Sequence, residues 1–468
     1  MKFLPAAVSL AALLPCASFA QSPNPSATTS TAMTTPSDVK TTPEPTFVLA
    51  KWKAKFYGFA ELDTMLDSTQ SFAEVQGNGI IVRRGQTTYD NGRLQESIRN
   101  TRLGFSLETP DFGGTKGYGL IEGDFFGFDP NPAYSTPAAG APASQPSESG
   151  FFTSPTFRIR HAWAKIESPF VDVLAGQTWS VLGGSGIFQP ATVALQGIVG
   201  EIYQRTEQVR LGKLVHLGGG SKFEIQVAAL RPYQRDVIIP DLSAMLRFEI
   251  GGWTGYKSSG GTGGGLSNFQ FAVSGVVKQF RAAPAKPAND TDWVTATGSA
   301  LALDVIVPII PATKESHAGA LTFVGEASTG SAYNDSFTGL NAGIASPGAP
   351  PGAPATYATT IDTGAVGWVG SELQTVNYQS LLANIQLYFS NSLFLSGVYS
   401  EMLSNNSNVF PKGGNSTFWD TKYGSAALMW DVTPATRIGV EGVWTRQRLA
   451  DNSTRVNRRG NFSMWFYF

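Results

Sequence analysis

The sequence predicts an all-β chain: a transmembrane antiparallel β-barrel of about sixteen strands with a loop folded into its lumen. Three observations lead there. Apolar and polar residues alternate with period two along most of the chain after residue 51. The connections between the alternating segments are long and short by turns, as in outer-membrane barrels. After the N-terminal stretch no run of 18 apolar residues occurs, so no spanning helix is expected.

The alternation is clearest at the two ends of this region. Trp52, Ala54, Phe56, Gly58, Ala60 and Leu62 form one face; Lys53, Lys55, Tyr57, Phe59, Glu61 and Asp63 form the other. Residues 98–109 set Leu103, Phe105 and Leu107 against Asn100, Arg102, Ser106 and Glu108. Residues 436–447 set Ile438, Val440 and Trp444 against Arg437, Glu441 and Thr445. At the C-terminus, Phe462, Met464, Phe466 and Phe468 alternate with Asn461, Ser463, Trp465 and Tyr467. Further strands are expected near 117–128, 156–167, 171–179, 201–211, 221–231, 241–250, 267–280, 297–307, 318–329, 376–389, 392–402 and 417–431.

Long links fall at 68–97, 129–155, 180–200, 281–296, 330–375, 403–416 and 449–459, and short ones at 168–170, 390–391 and 432–435. Two links depart from this order: 232–240 is short, and the Gly-rich 251–266 is long. An even strand number places both ends of the barrel on the periplasmic side. A soluble sandwich would also alternate, but its outer face would carry more Lys and Glu. Here the polar face is Arg, Glu, Asn, Gln, Ser and Tyr.

Composition narrows the function. The 468 residues carry 34 Lys+Arg and 35 Asp+Glu, a formal charge of −1, so no basic footprint for nucleic acid exists. An aromatic content of 12% excludes a disordered chain, and one Cys excludes an internal disulfide framework. His161, His216 and His317 stand far apart with no ligand spacing, so no metal or other cofactor is expected. The Gly-rich 259–265 lacks the Lys-Ser/Thr of a phosphate loop.

The N-terminus reads as a secretory signal peptide over 1–20. Lys2 is its positive start, Phe3 to Pro15 its apolar run, and Ser18-Phe19-Ala20 its cleavage site. Residues 21–50, rich in Pro, Ser and Thr, are expected to form a flexible periplasmic arm. The barrel then occupies 51–468.

A barrel of this size is too wide for side chains to fill and holds water, which makes it a conduit. Charged strand residues belong on the lumen side, because Arg or Lys facing mid-membrane lipid costs about 2–4 kcal/mol. The candidate pore-lining cations are Arg102, Arg158, Arg160 and Arg205, with Arg437 from the far wall. Arg158 and Arg160, two apart, share a face, and Glu122 and Asp124 form a facing negative strip. Guanidinium groups suit carboxylate solutes, since they engage both oxygens. These charges equally serve to brace the wall by pairing. Segment 180–200 has no charged residue and many apolar ones, which fits an inward-folded constriction loop or a loop buried between subunits.

Several blocks resemble the DcaP-like outer-membrane porins. They are Arg99 to Pro110, Glu122 to Gly127, Phe157 to Trp163, Gly176 to Ser180 and Gln204 to Arg210. The resemblance covers roughly 99–211 and implies a sixteen-stranded homotrimer in the bacterial outer membrane that passes small, preferentially anionic solutes such as dicarboxylates. The terminal Phe468, with its alternating aromatic neighbours, resembles the signal by which the barrel assembly machinery recognises such proteins. Lipid and lipopolysaccharide are the surrounding partners that this location implies. Two features differ from the family: residues 21–50 hold too much Pro for a helix, and 181–200 holds no acidic residue. Two other functions remain open, a barrel-embedded hydrolase and a structural or adhesive barrel. The first needs a Ser–His pairing that the sequence does not display. The chain is too short for a plug domain with a 22-stranded barrel.

Overall fold

The computed structural model describes residues 46–49, 51–82, 84–127, 155–184, 186–234, 237–258, 264–285, 292–340, 349–357, 364–410, 418–449 and 452–468. The expected signal peptide lies outside the described residues, as does the expected arm up to residue 45. Residues Thr46–Leu49 form β1, which pairs with the start of β2 (Trp52–Asp67), so strand pairing is present a few residues before Trp52.

The first half of the barrel continues with β3 (Arg93–Ser97), β4 (Arg102–Glu108), β5 (Lys116–Gly127), β6 (Thr156–Glu167), β7 (Asp172–Trp179), β8 (Arg205–Gly218), β9 (Ser221–Leu230) and β10 (Asp241–Ser258). The second half holds β11 (Gly264–Ala282), β12 (Val294–Ile310), β13 (Leu321–Ser331), β16 (Asn377–Tyr388), β17 (Leu393–Ser404), β18 (Phe418–Thr433), β19 (Thr436–Leu449) and β20 (Thr454–Tyr467). Between β13 and β16 a small separate hairpin is made by β14 (Val366–Val369) and β15 (Glu372–Thr375). β3 and β4 both pair with β2 and form one interrupted stave, so the closed antiparallel barrel has 16 strands.

Closure runs through β2. One edge pairs with β3 and β4, and the other with β20, from Phe59↔Tyr467 to Asp67↔Arg459. The last residue completes the seam: Phe468 donates its N–H to the Gly58 carbonyl at 3.1 Å, and Gly58 N–H returns a bond to Phe468 O at 3.0 Å. In lipid each unsatisfied backbone group costs several kcal/mol, so the sheet has no tolerable edge at membrane depth.

The faces follow the sequence pattern. On β20 Phe462, Met464 and Phe466 point outward, and Ser463 and Trp465 are buried inward; β19 likewise sends Val440 and Trp444 out and Arg437 and Glu441 in. Three local departures have clear causes. The stretch 98–101 is a turn that interrupts the second stave, and Asn100 there donates to Glu61 at 2.7 Å. The sixth strand begins at Arg205, later than expected, because 201–204 belongs to the inward loop. The Gly-rich 251–266 is mostly strand: β10 passes through a bulge between Ile250 and Thr254 and runs on to Ser258.

Placing a charge on the outer face tests this orientation. Leu303, near the middle of β12 and outward, is half exposed, while its neighbours Ala302 and Asp304 are buried inward. Leu303→Arg is expected to destabilise the folded barrel by about 2–4 kcal/mol in lipid vesicles. An unchanged denaturant midpoint would place Leu303 elsewhere.

Candidate functional site

The lumen is shaped by segments that fold inward from the end bearing the long connections. The largest is 180–204, between β7 and β8. Val181, Leu182, Phe188, Ile198, Val199 and Ile202 are each at most 3% exposed and pack against β10–β13 and β16–β19. The wall holds this backbone with side chains. Ser274 accepts from Gly183 N–H at 2.8 Å, Asn384 from Ala191 N–H at 3.1 Å, and Glu326 from Ile202 N–H at 2.8 Å. Ser400 donates to Val199 O at 2.7 Å, and Glu441 accepts from Ala194 N–H. An inward loop uncharged from 180 to 200 is thus satisfied by polar groups that the barrel supplies. Its turn at 197–201 is tied by Glu201, whose carboxylate accepts from Gly197 and Ile198 N–H at 2.7 and 3.0 Å. Burial pushes the Glu201 carboxyl up to about 7, against the pull of those N–H groups and Lys257.

Two further inward segments escaped the sequence reading. Residues 68–92 place Phe72, Glu74, Gln76, Asn78 and Ile81 in the interior. Ile81 N–H donates to Gln447 at 2.9 Å, and Arg99 pairs with Glu74 at 2.9 Å. Residues 332–340 meet both neighbours: Asn78 N–H bonds Thr338 O at 2.7 Å, and Tyr203 N–H bonds Ser336 O at 2.8 Å. Each segment mixes apolar and polar residues, so composition did not distinguish it from a surface loop.

The charged cluster lies on β4, β5, β6 and the start of β8. Arg158 engages Asp124 through Nε and Nη2 at 2.9 and 2.7 Å. Arg160 bridges Glu122 at 3.0 Å and Asp124 at 3.1 Å, and its Nη2 donates to the Tyr203 hydroxyl at 3.3 Å. Arg102 stands 3.6 Å from Glu122. Tyr57 reaches over Gly104 to donate to Glu122 at 2.9 Å; a Cβ at Gly104 would lie 2.3 Å from the Tyr57 ring. Arg205 stacks on Trp179 at 4.8 Å and Tyr203 at 5.2 Å, and its Nη1 is buried with no hydrogen-bond partner among the described residues.

The structure therefore brings Arg102, Arg158, Arg160, Arg205, Glu122 and Asp124 together, with two corrections. Glu122 and Asp124 do not face the arginines across the lumen; β5 is their neighbouring strand, and they pair with them directly. A register shift at Glu122/Gly123 turns Arg160 and His161 both inward. The cluster holds four guanidinium groups and two carboxylates, an excess of two positive charges. Of the paired arginines, Arg158 meets water best: its side chain is 40% exposed, against 12% for Arg102 and 3% for Arg160.

Arg437 belongs elsewhere. It is not on a far wall, because barrel closure leaves only β20 and β2 between β19 and β4. It is 2% exposed, pairs with Asp431, and donates to Ser258 Oγ at 2.8 Å. Ser258 ends β10, the eighth stave, whereas β19 is the fifteenth. The β10–β11 hairpin thus leans across the mouth at the end opposite the long loops. Ser258 N–H bonds Gln386 on β16 at 2.7 Å, and Lys257 donates to Ile187 O of the inward loop.

A barrel closed on itself, with an inward loop fastened to its wall, is an architecture of outer-membrane β-barrels. Among solved structures the chain is similar to the outer membrane channel DcaP of Acinetobacter baumannii, with 16% identity, 89% of this chain and 97% of that chain covered, and a TM-score of 0.62. It is also similar to the trimer form of OmpT, an outer membrane protein of Vibrio cholerae, with 9% identity, 89% and 99% covered, and a TM-score of 0.50. No protein-family model and no curated protein matches the chain. At such identities the shared property is the fold, and the fold is the one that the DcaP-like sequence blocks led us to expect.

The seat of the loop is testable at Gly439. A Cβ there would come within 2.6 Å of Val193 Cγ2 and 3.1 Å of the Trp465 ring. Gly439→Val is expected to cost about 1–3 kcal/mol by overpacking and to displace residues around Val193. Single-channel conductance should rise in the folded variant; an unchanged conductance would mean that the loop does not limit the lumen.

Proposed function

We propose that the protein is an outer-membrane porin: a water-filled channel for passive diffusion of small hydrophilic solutes, with preference for anions such as dicarboxylates. The observation that carries this reading is the lumen cluster with its two excess positive charges and the water-facing side chain of Arg158. A guanidinium that meets water attracts a solute carboxylate by charge and by hydrogen bonding. The protein would be exported by the signal peptide cleaved after Ala20 and assembled through the Phe468 signal. It would sit as a homotrimer among lipid and lipopolysaccharide. The proposal assigns the barrel no enzymatic role; His161 meets Thr178 at 3.0 Å and His317 meets the Asn391 carbonyl.

Liposome swelling tests the reading. Proteoliposomes should admit a small dicarboxylate faster than a diamine of equal size. A unit charge about 4 Å away is worth about 1 kcal/mol in water, so Arg158→Gln should slow the dicarboxylate about five-fold. Equal rates for both solutes would overturn the anion preference, and no swelling at all would overturn the channel.

The pH dependence follows from Tyr203, in the loop just before β8. Burial raises its pKa, but the guanidinium groups of Arg160, Arg205 and Arg102 outweigh burial and hold the phenol at about 8. Above that pH a phenolate adds negative charge to the cluster. Anion preference should therefore fall between about pH 7 and 9. Tyr203→Phe should show a smaller fall over that range, keeping only the part due to Glu201 near pH 7, and a variant profile identical to the wild type would contradict the assignment.

A further inference from the structure

We infer that the outer face of β17–β20 is a binding site for a phosphorylated glycolipid of the external leaflet. Its phosphate sits among Lys422, Arg446 and Arg458, and an acyl chain lies in the groove beneath. The inference rests on the outer-membrane location proposed above.

The register gives the arrangement. Lys422 on β18 stands directly opposite Arg446 on β19. Arg458 on β20 is diagonal to Arg446, opposite Trp444. Directly opposite residues have Cβ atoms about 4.5–5.5 Å apart, and like charges so placed repel. One carboxylate answers this group: Glu401, opposite Lys422, pairs with it at 3.2 Å. Among the described residues Arg446 and Arg458 have no acidic side-chain partner. All three cations lie on outward positions, with Arg458 exposed. The outward face thus presents an uncompensated positive charge where a membrane protein usually shows apolar residues.

The height of the patch identifies the ligand. It lies toward the ends of β17–β20 that bear the long connections, hence toward the external leaflet. Tyr399 and Trp444, 44% and 37% exposed, occupy the same level, as an aromatic girdle does beside lipid head groups. A phosphomonoester offers two negative charges and three acceptor oxygens there, which suit the forked guanidinium groups.

Below the girdle the wall is hollow. Gly397, Ala426, Gly442 and Gly460 are register partners across four adjacent strands. A Cβ on Gly397, Gly442 or Gly460 would meet nothing within 4 Å. An open groove over β18–β20 and β2 is lined by Leu66, Ala426, Gly442, Trp444, Arg458 and Gly460. At a strand spacing of about 4.8 Å it crosses about 15 Å of sheet, long enough for the body of a saturated acyl chain. Of the three cations Arg458 lines this groove and so joins it to the charged patch, which matches a lipid whose phosphate and chain are joined.

Native mass spectrometry of the detergent-solubilised full chain with bis-phosphorylated lipid A tests the site. The wild type should retain lipid A, and should retain a dephosphorylated form or phosphatidylglycerol at least tenfold less. The double variant Arg446→Gln/Arg458→Gln should lose retention at least tenfold while keeping heat-modifiable migration and channel conductance. Gly442→Leu, which fills the groove and leaves the charges, should weaken retention to an intermediate degree. Equal retention by wild type and double variant would overturn the site. So would equal retention of phosphatidylglycerol, or a double variant that changes oligomeric mass with lipid binding intact, which would make this face an interface between copies. A wild type that holds lipid A without conducting would instead sink the porin reading and leave the site standing.

Discussion

Backbone hydrogen bonding is the constraint from which the rest of this structure follows. A strand at membrane depth has no water to complete its N–H and C=O groups, so the sheet must meet itself. β2 performs that closure by pairing with the interrupted β3–β4 stave on one side and β20 on the other. Phe468 contributes the last two bonds of the seam. Once the sheet closes at 16 strands, the interior is too wide to fill with wall side chains, and its contents have to come from the loops.

Those loops solve a second problem. Chain inside the barrel still carries polar backbone, and the lumen wall meets it with Ser274, Glu326, Asn384, Ser400 and Glu441. The apolar side chains of 180–204 cover the inner face of β10–β13 and β16–β19. The arginine cluster stands on the remaining wall, β4 to β6 and β8. At the other end of the lumen, Ser258 and Lys257 carry the β10–β11 hairpin across to β16, β19 and the inward loop. In the proposed porin the route left to solute would run beside charge, so constriction and selectivity would arise from one arrangement.

The legible parts of the sequence were those governed by a single period. Alternation placed Phe462, Met464 and Phe466 outside and Ser463 and Trp465 inside, and it set the lumen side for Arg102, Arg158 and Arg160. The uncharged run 180–200 stood out because a surface loop has no reason to be apolar. What stayed hidden depends on contacts between distant residues. Closure is invisible in a linear pattern, so Arg437 looked remote from Arg102. A register shift turns His161 inward beside Arg160, and no periodicity announces it. Segments 68–92 and 332–340 enter the lumen through specific bonds such as Asn78 to Thr338, with ordinary loop composition. Glycine misled in one place: 251–266 reads as a loop, yet a bulge carries the strand through Gly251 and Gly252 to Ser258.

The central claim is that the closed barrel conducts, and that its arginine wall makes it favour anions. Reversal potential of the refolded protein in a planar bilayer, measured across a potassium chloride gradient at pH 7, addresses both parts in one record. The account predicts stepwise conductance, in threes if the homotrimer is intact, with a reversal potential of the sign set by chloride. Stepwise conductance with the sign of potassium, or a folded barrel that passes no current, would contradict it.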